Sequence, residues 1–124
     1  MYMNIFRFFR SLKTAVKGLR YIFVHEQNFR IQVFAFMLVC VCIVIFPMRV
    51  YEVIVLFLVS ILVLVLEILN TVLETFVDII KPRLAYHVAV VKDMMAAMVL
   101  VASFGALVTG SIILLPYIFE IVVK

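Results

Sequence analysis

The sequence predicts an all-α integral membrane protein, with an N-terminal amphipathic surface helix and three transmembrane helices that self-associate. Three observations carry this. The 124 residues are 69% hydrophobic and 15% charged, with a mean hydropathy of +1.33, which leaves too little polar material to surround a water-soluble core. Two long stretches have no charge: eighteen residues in Ile31 to Met48 and twenty-six in Met94 to Phe119. Nine of the eleven Lys and Arg residues lie before the first of these or between the second and third spans. That bias places both regions in the cytoplasm by the positive-inside rule, with the N-terminus inside and the C-terminus outside.

The surface helix is expected over residues 5–24. Ile5, Phe8, Phe9, Leu12, Val16, Leu19 and Phe23 gather on one side of a helical projection, opposite Arg7, Arg10, Lys13, Thr14, Lys17 and Arg20. Such a helix sets cations against anionic headgroups and its aromatic face among acyl chains. The polar run His25 to Arg30 reads as a bend at headgroup level, and by itself Glu26 reads as a solvated hinge residue.

The first span is expected at about 30–48. Eighteen helical residues reach about 27 Å, roughly one hydrocarbon layer. Cys40 and Cys42 stand about 200° apart on that helix and cannot pair with each other. Without metal spacing they read as small apolar residues. The N-terminal region lacks an apolar stretch ending in a small-residue cleavage site, so no cleavable signal is expected and the first span serves as the insertion signal. Arg49 falls in a short external turn at Pro47 and Met48, and Lys124 in an external tail.

The second span, about 51–80, has to run through polar residues, because Val53 to Leu66 supplies only fourteen uncharged positions. Taking Glu67 as zero at about 100° per residue, Asn70 falls near −60°, Thr71 near +40°, Glu74 near −20° and Asp78 near +20°. They share one face. An ionisable group at membrane depth costs roughly 2.5 kcal/mol or more on insertion scales, so this face is a functional-site hypothesis by default.

Lys81-Pro82-Arg83 reads as the end of that helix, since proline disfavours helical geometry in the residue before it. The third span is expected at about 90–119, with Ala102, Ala106 and Gly110 as a small-residue seam for close helix contact. No domain boundary or internal repeat is visible, so residues 1–124 form a single membrane-embedded domain.

The residues restrict the chemistry. Glycine occurs only at positions 18, 105 and 110, which excludes a Walker A loop and a GxGxxG fingerprint. His25 and His87 have no partner at zinc-ligand spacing, and no Cys or Ser has a neighbouring base. A carboxylate cluster can hold Mg²⁺ that completes its shell with water and substrate phosphates, and Lys92 beside Asp93 could add a cation toward those phosphates. The same face could instead line a proton or cation path, or join helices through hydrogen bonds. From spacing alone the three readings stand level.

Glu67-Ile-Leu-Asn70-Thr71-x-x-Glu74-x-x-x-Asp78, followed fourteen residues on by Lys92-Asp93-Met94, resembles the signature of the prokaryotic diacylglycerol kinase and undecaprenol kinase family. Lys17-Gly18-Leu19-Arg20, Glu26-x-Asn28-Phe29-Arg30 and the three-span order extend the resemblance over most of the chain. It implies a homotrimeric lipid kinase of the bacterial cytoplasmic membrane. Such an enzyme moves the γ-phosphoryl of ATP, with Mg²⁺, onto the hydroxyl of diacylglycerol or undecaprenol, in active sites shared between subunits. By resemblance Glu67 is the general base and Asn70 orients groups around the acceptor. Glu26 and Glu74 form the metal-holding pair, and Lys92, Asp93 and Asp78 lie at the nucleotide with Arg7 as a further contact. ATP, a membrane lipid and further copies of the chain are the partners expected, and nucleic acid is not.

Where the family carries Glu-Tyr-His, this sequence has Arg83, Leu84 and Ala85, with Tyr86-His87 displaced by two; those nucleotide contacts are not carried over. Thr14 likewise replaces an aromatic residue. Asn28-Phe29-Arg30 and Lys81-Pro82 lean toward the undecaprenol-type members. The rival expectations are a channel-like or proton-relay oligomer and a catalytically inactive interaction subunit.

Overall fold

The computed structural model describes residues 5–80 and the backbone of 85–123, with side chains from Tyr86 onward in the latter segment. Four helices follow one another: α1 (Ile5–His25), α2 (Gln27–Ile45), α3 (Val50–Ile80) and α4 (Ala85–Val122). The described part is all-helical. Three helices, Gln27–Ile45, Val50–Ile80 and Tyr86–Val122, are long and apolar enough to cross a membrane. The reading of Lys81-Pro82-Arg83 as a helix stop, the substituted positions Arg83 and Leu84, and the tail residue Lys124 lie outside the described residues.

The bend expected over His25 to Arg30 is confined to Glu26. Its backbone is extended, at φ −105° and ψ 111°, and α2 resumes at Gln27. Arg30 explains how so short an elbow holds. Its Nη1 donates to the carbonyls of Phe23 at 3.0 Å and Val24 at 2.8 Å, two of the carbonyls that a helix C-terminus leaves unsatisfied. Ile22 and Phe29, both buried, sit on either side of the bend. Hence Arg30 and Phe29 fix the angle of the elbow that presents Glu26.

α3 packs against both α2 and α4. Its buried residues Leu56, Val63 and Asn70 recur at seven-residue intervals, the spacing of a coiled-coil seam. Phe36 on α2 meets Phe57 on α3 with ring centroids 5.7 Å apart. In lipid the apolar effect does not draw helices together, so close packing and interhelical hydrogen bonds have to do so. At Glu67 the seam of α3 changes from apolar to polar without leaving the buried face.

At 31 residues, α3 is about 46 Å long, well beyond a hydrocarbon core of about 30 Å. Counted from Val50, Glu67 lies about 26 Å along the helix and Glu74 about 36 Å. A hydrocarbon core of about 30 Å that began at Val50 would end between Glu67 and Glu74. α4 starts earlier and ends later than the expected span, and Pro116 lies inside it. A proline removes one backbone hydrogen bond, which membrane helices tolerate where neighbouring groups compensate.

Candidate active site

Exposure along the polar face of α3 rises toward its C-terminus. Glu67 is 3% exposed, Asn70 9% and Thr71 5%; Glu74 is half-buried and Asp78 exposed. The Asn70 amide donates from Nδ2 to Glu74 Oε1 at 3.1 Å, which joins two turns of the face. Thr71 shares the face but not its chemistry. Its hydroxyl donates to the Glu67 carbonyl at 3.1 Å, a common way for a threonine inside a helix to satisfy itself.

The buried Glu67 carboxylate has a partner that spacing did not reveal. Gln32 on α2 donates from Nε2 to Glu67 Oε2 at 3.1 Å. The only sequence signal was one amide in an otherwise apolar span, which by itself marks a candidate polar contact. Gln32 Oε1 and Asn70 Oδ1 are buried without a hydrogen-bond partner among the described residues of the chain. A buried polar atom left unpaired costs about 1–3 kcal/mol.

Glu26 and Glu74 both lie near enough to Glu67 to act on it electrostatically. Glu26 occupies the N-cap position of α2 without a side-chain cap bond. Glu74 accepts from Asn70 through Oε1, which leaves Oε2 to offer. Among the described residues no three His, Cys, Asp or Glu side chains gather closely enough to hold a metal ion. A pair of carboxylates is nonetheless a fitting donor set for Mg²⁺, which takes one or two carboxylates and fills its octahedron with water and phosphate oxygens.

Further along α3, the Lys92 ammonium donates to Asp78 Oδ1 at 2.6 Å. The two side chains are 30% and 50% exposed, and an ion pair so open to water contributes only about 0–1 kcal/mol. Its consequence is placement: Asp78 holds Lys92 beside the acidic face, and an ammonium has three protons, so two remain for other acceptors. Asp93 is exposed on α4. Arg7 stands about 28 Å along α1 from Glu26, so within one chain it is not brought to the carboxylates. Tyr86 and His87 are exposed in the first turn of α4, with their rings edge to face at 5.6 Å.

A family model described as prokaryotic diacylglycerol kinase matches residues 13–114. The chain belongs to that family. No curated protein matches the chain. The family match takes in Glu26, Gln32, Glu67, Asn70, Glu74, Asp78, Lys92 and Asp93, and leaves Arg7 outside. Membership in the prokaryotic diacylglycerol kinase family supports a lipid kinase, and with three apolar helices it indicates a membrane protein.

Gln32→Leu should lower kcat by about 10-fold or more, the cost of a buried carboxylate stripped of its donor, while KM for nucleotide stays within about twofold. Steady-state kinetics with each substrate varied in turn checks this split.

Proposed function

We propose that this protein transfers the γ-phosphoryl of ATP to the hydroxyl of a membrane lipid alcohol, diacylglycerol or undecaprenol, at the cytoplasmic face of the bacterial inner membrane. The observation that carries the reading is the buried Glu67 carboxylate, held by Gln32 and faced by Glu26 and Glu74. The lipid hydroxyl donates to Glu67, which takes its proton as the oxygen attacks the γ-phosphorus and ADP leaves. Asn70, one turn from Glu67 and bonded through its amide to Glu74, steadies the polar face around the attacking group.

Glu26 and Glu74 would hold Mg²⁺, which when bound neutralises charge on the phosphate oxygens. Lys92, positioned by Asp78, reaches toward the nucleotide phosphates, with Asp93 beside it on α4. Arg7 adds to the nucleotide site from the surface helix of a neighbouring copy. The distance of Arg7 from Glu26 along α1 and the exposure of Asp93 support a site shared between subunits of a homotrimer. Placing α1 flat on the inner leaflet, with the N-terminus inside and the C-terminus outside, puts all of these groups on the side where nucleotides are.

The test is incubation of purified protein with γ-labelled ATP, Mg²⁺ and each lipid alcohol in mixed micelles. Label is expected in a lipid phosphate. Folded protein that labels neither lipid, or that passes ions across liposomes without ATP, would reject the reading.

A further inference from the structure

Below Gln32 the three long helices part around a cleft of about 390 Å³, walled by α2, α3 and α4. Phe36, Val63, Ala106, Leu107 and Leu114 give it an apolar lining. Three serines line it as well, Ser60, Ser103 and Ser111, and two of their hydroxyls turn back into their own helices: Ser60 to the Leu56 carbonyl and Ser111 to the Leu107 carbonyl, each at 2.7 Å. With those hydroxyls satisfied, the wall favours hydrocarbon. At the inner end lies Gln32, which donates to Glu67.

Beside the outermost lining residues, Leu115 and Ile118, stands a polar cluster that the proposed chemistry does not use. Tyr117 on α4 donates its hydroxyl to Glu52 Oε2 at 2.6 Å, in the first turn of α3. The Arg49 backbone amide donates to the same oxygen at 2.8 Å. Phe46, at the C-cap of α2, stacks on the Tyr117 ring at 5.7 Å. Tyr117 lies two turns beyond Gly110 and on the same face, between the lining residues Leu114 and Ile118, so the cluster stands at the outer end of the cleft and ties all three helices together there.

We propose that the cleft holds one hydrocarbon chain of the lipid substrate and that the Phe46, Glu52 and Tyr117 cluster is its floor, setting the longest chain the enzyme accepts. This rests on the reading of Glu67 as the site of the lipid hydroxyl. The continuity from Glu67 through Gln32 into an apolar cleft identifies the occupant: a chain whose polar head is at the base and whose tail points outward. From Ser103 to Tyr117 the wall of α4 is about 21 Å long, whereas one leaflet of a core about 30 Å thick is only about 15 Å deep. A chain that meets the floor is therefore longer than one leaflet is deep.

The test compares lipid alcohols of graded chain length in mixed micelles. For the native chain, kcat/KM climbs with length and stops climbing once the tail spans about 21 Å. Tyr117→Ala removes the floor and lets the climb continue. Gly110 lines the cleft and a Cβ added there meets nothing within 4 Å, so Gly110→Leu fits its helix but blocks the cleft about 10 Å above Tyr117. That variant should reduce the ratio of long-chain to short-chain kcat/KM by about tenfold or more, the discrimination usual for a misfit in an apolar pocket.

A lipid alcohol with a diazirine at its chain end, photolysed on the same protein, should label the stretch of α4 around residues 114–118. Label there without phosphoryl transfer would refute the kinase chemistry and leave the cleft assignment standing. Label elsewhere or none, as expected if a helix of a second copy fills the cleft, would overturn the assignment. So would length profiles that neither variant moves.

Discussion

Glu67→Gln abolishes phosphoryl transfer, lowering kcat by about 10²–10⁴-fold, the range that a positioned general base contributes. The substitution keeps the shape and both heavy atoms of the side-chain head. Its amide can still meet Gln32 after that side chain rotates, so the fold and the nucleotide site persist. The expected pattern is thus lost turnover with an unchanged thermal unfolding midpoint and unchanged nucleotide affinity, read by calorimetry and by binding of a fluorescent ATP analogue. The buried position of Glu67 makes the result informative, because a carboxylate 3% exposed and held by Gln32 is shielded from bulk water. Full turnover in the folded variant would remove Glu67 from the chemistry.

The second large effect falls on Mg²⁺. Glu26→Ala and Glu74→Ala each remove one of the two carboxylates read as holding the ion, and each should raise the Mg²⁺ concentration for half-maximal turnover by at least about tenfold, or about 1.4 kcal/mol. Glu74→Ala should carry an added loss in kcat, because it also frees the Asn70 amide that now donates to it. Glu26→Ala disturbs no cap bond, so its effect should remain with the metal. Titration of Mg²⁺ at fixed ATP separates the two. An unchanged Mg²⁺ requirement in both variants would count against the pair.

The polar face of α3 was legible because two independent regularities met there. The apolar run after Val53 was too short to span alone, so the helix had to continue through Glu67, and the 100° step then put Asn70, Glu74 and Asp78 on its side. Both are properties of one helix. Contacts between helices left no comparable trace. Gln32 has no sequence neighbour to give its amide meaning, and only packing of α2 on α3 brings it to Glu67. Arg30 was legible as part of a motif, yet its role at the α1 C-terminus depends on an elbow only one residue long. The Glu52 to Tyr117 hydrogen bond joins residues 65 apart, and a tyrosine near the end of an apolar span ordinarily reads as an interfacial anchor. Thr71 shows the converse: the periodicity placed it correctly, but its hydroxyl serves the backbone.

Small-residue spacing on α4 predicts a helix-packing seam, and Ala106 and Gly110 do lie at an interhelical surface. Within the chain that surface opens into the cleft rather than closing on a neighbour. The same absence of side-chain bulk that permits close helix contact also leaves room for a chain when the opposing helices, α2 and α3, are held apart. Packing decides between the two uses, and composition is identical in both.

The central claim is that Glu26 at the elbow and Glu74 on α3 grip one divalent ion together. Mn²⁺ in place of Mg²⁺, followed by electron paramagnetic resonance with ATP present, measures this through a double-mutant cycle of Glu26→Gln and Glu74→Gln. The account predicts that either substitution alone removes most of the tightly bound Mn²⁺ and that the double variant binds little worse than either single one. Independent losses that simply add, or tight binding retained in the double variant, would contradict it.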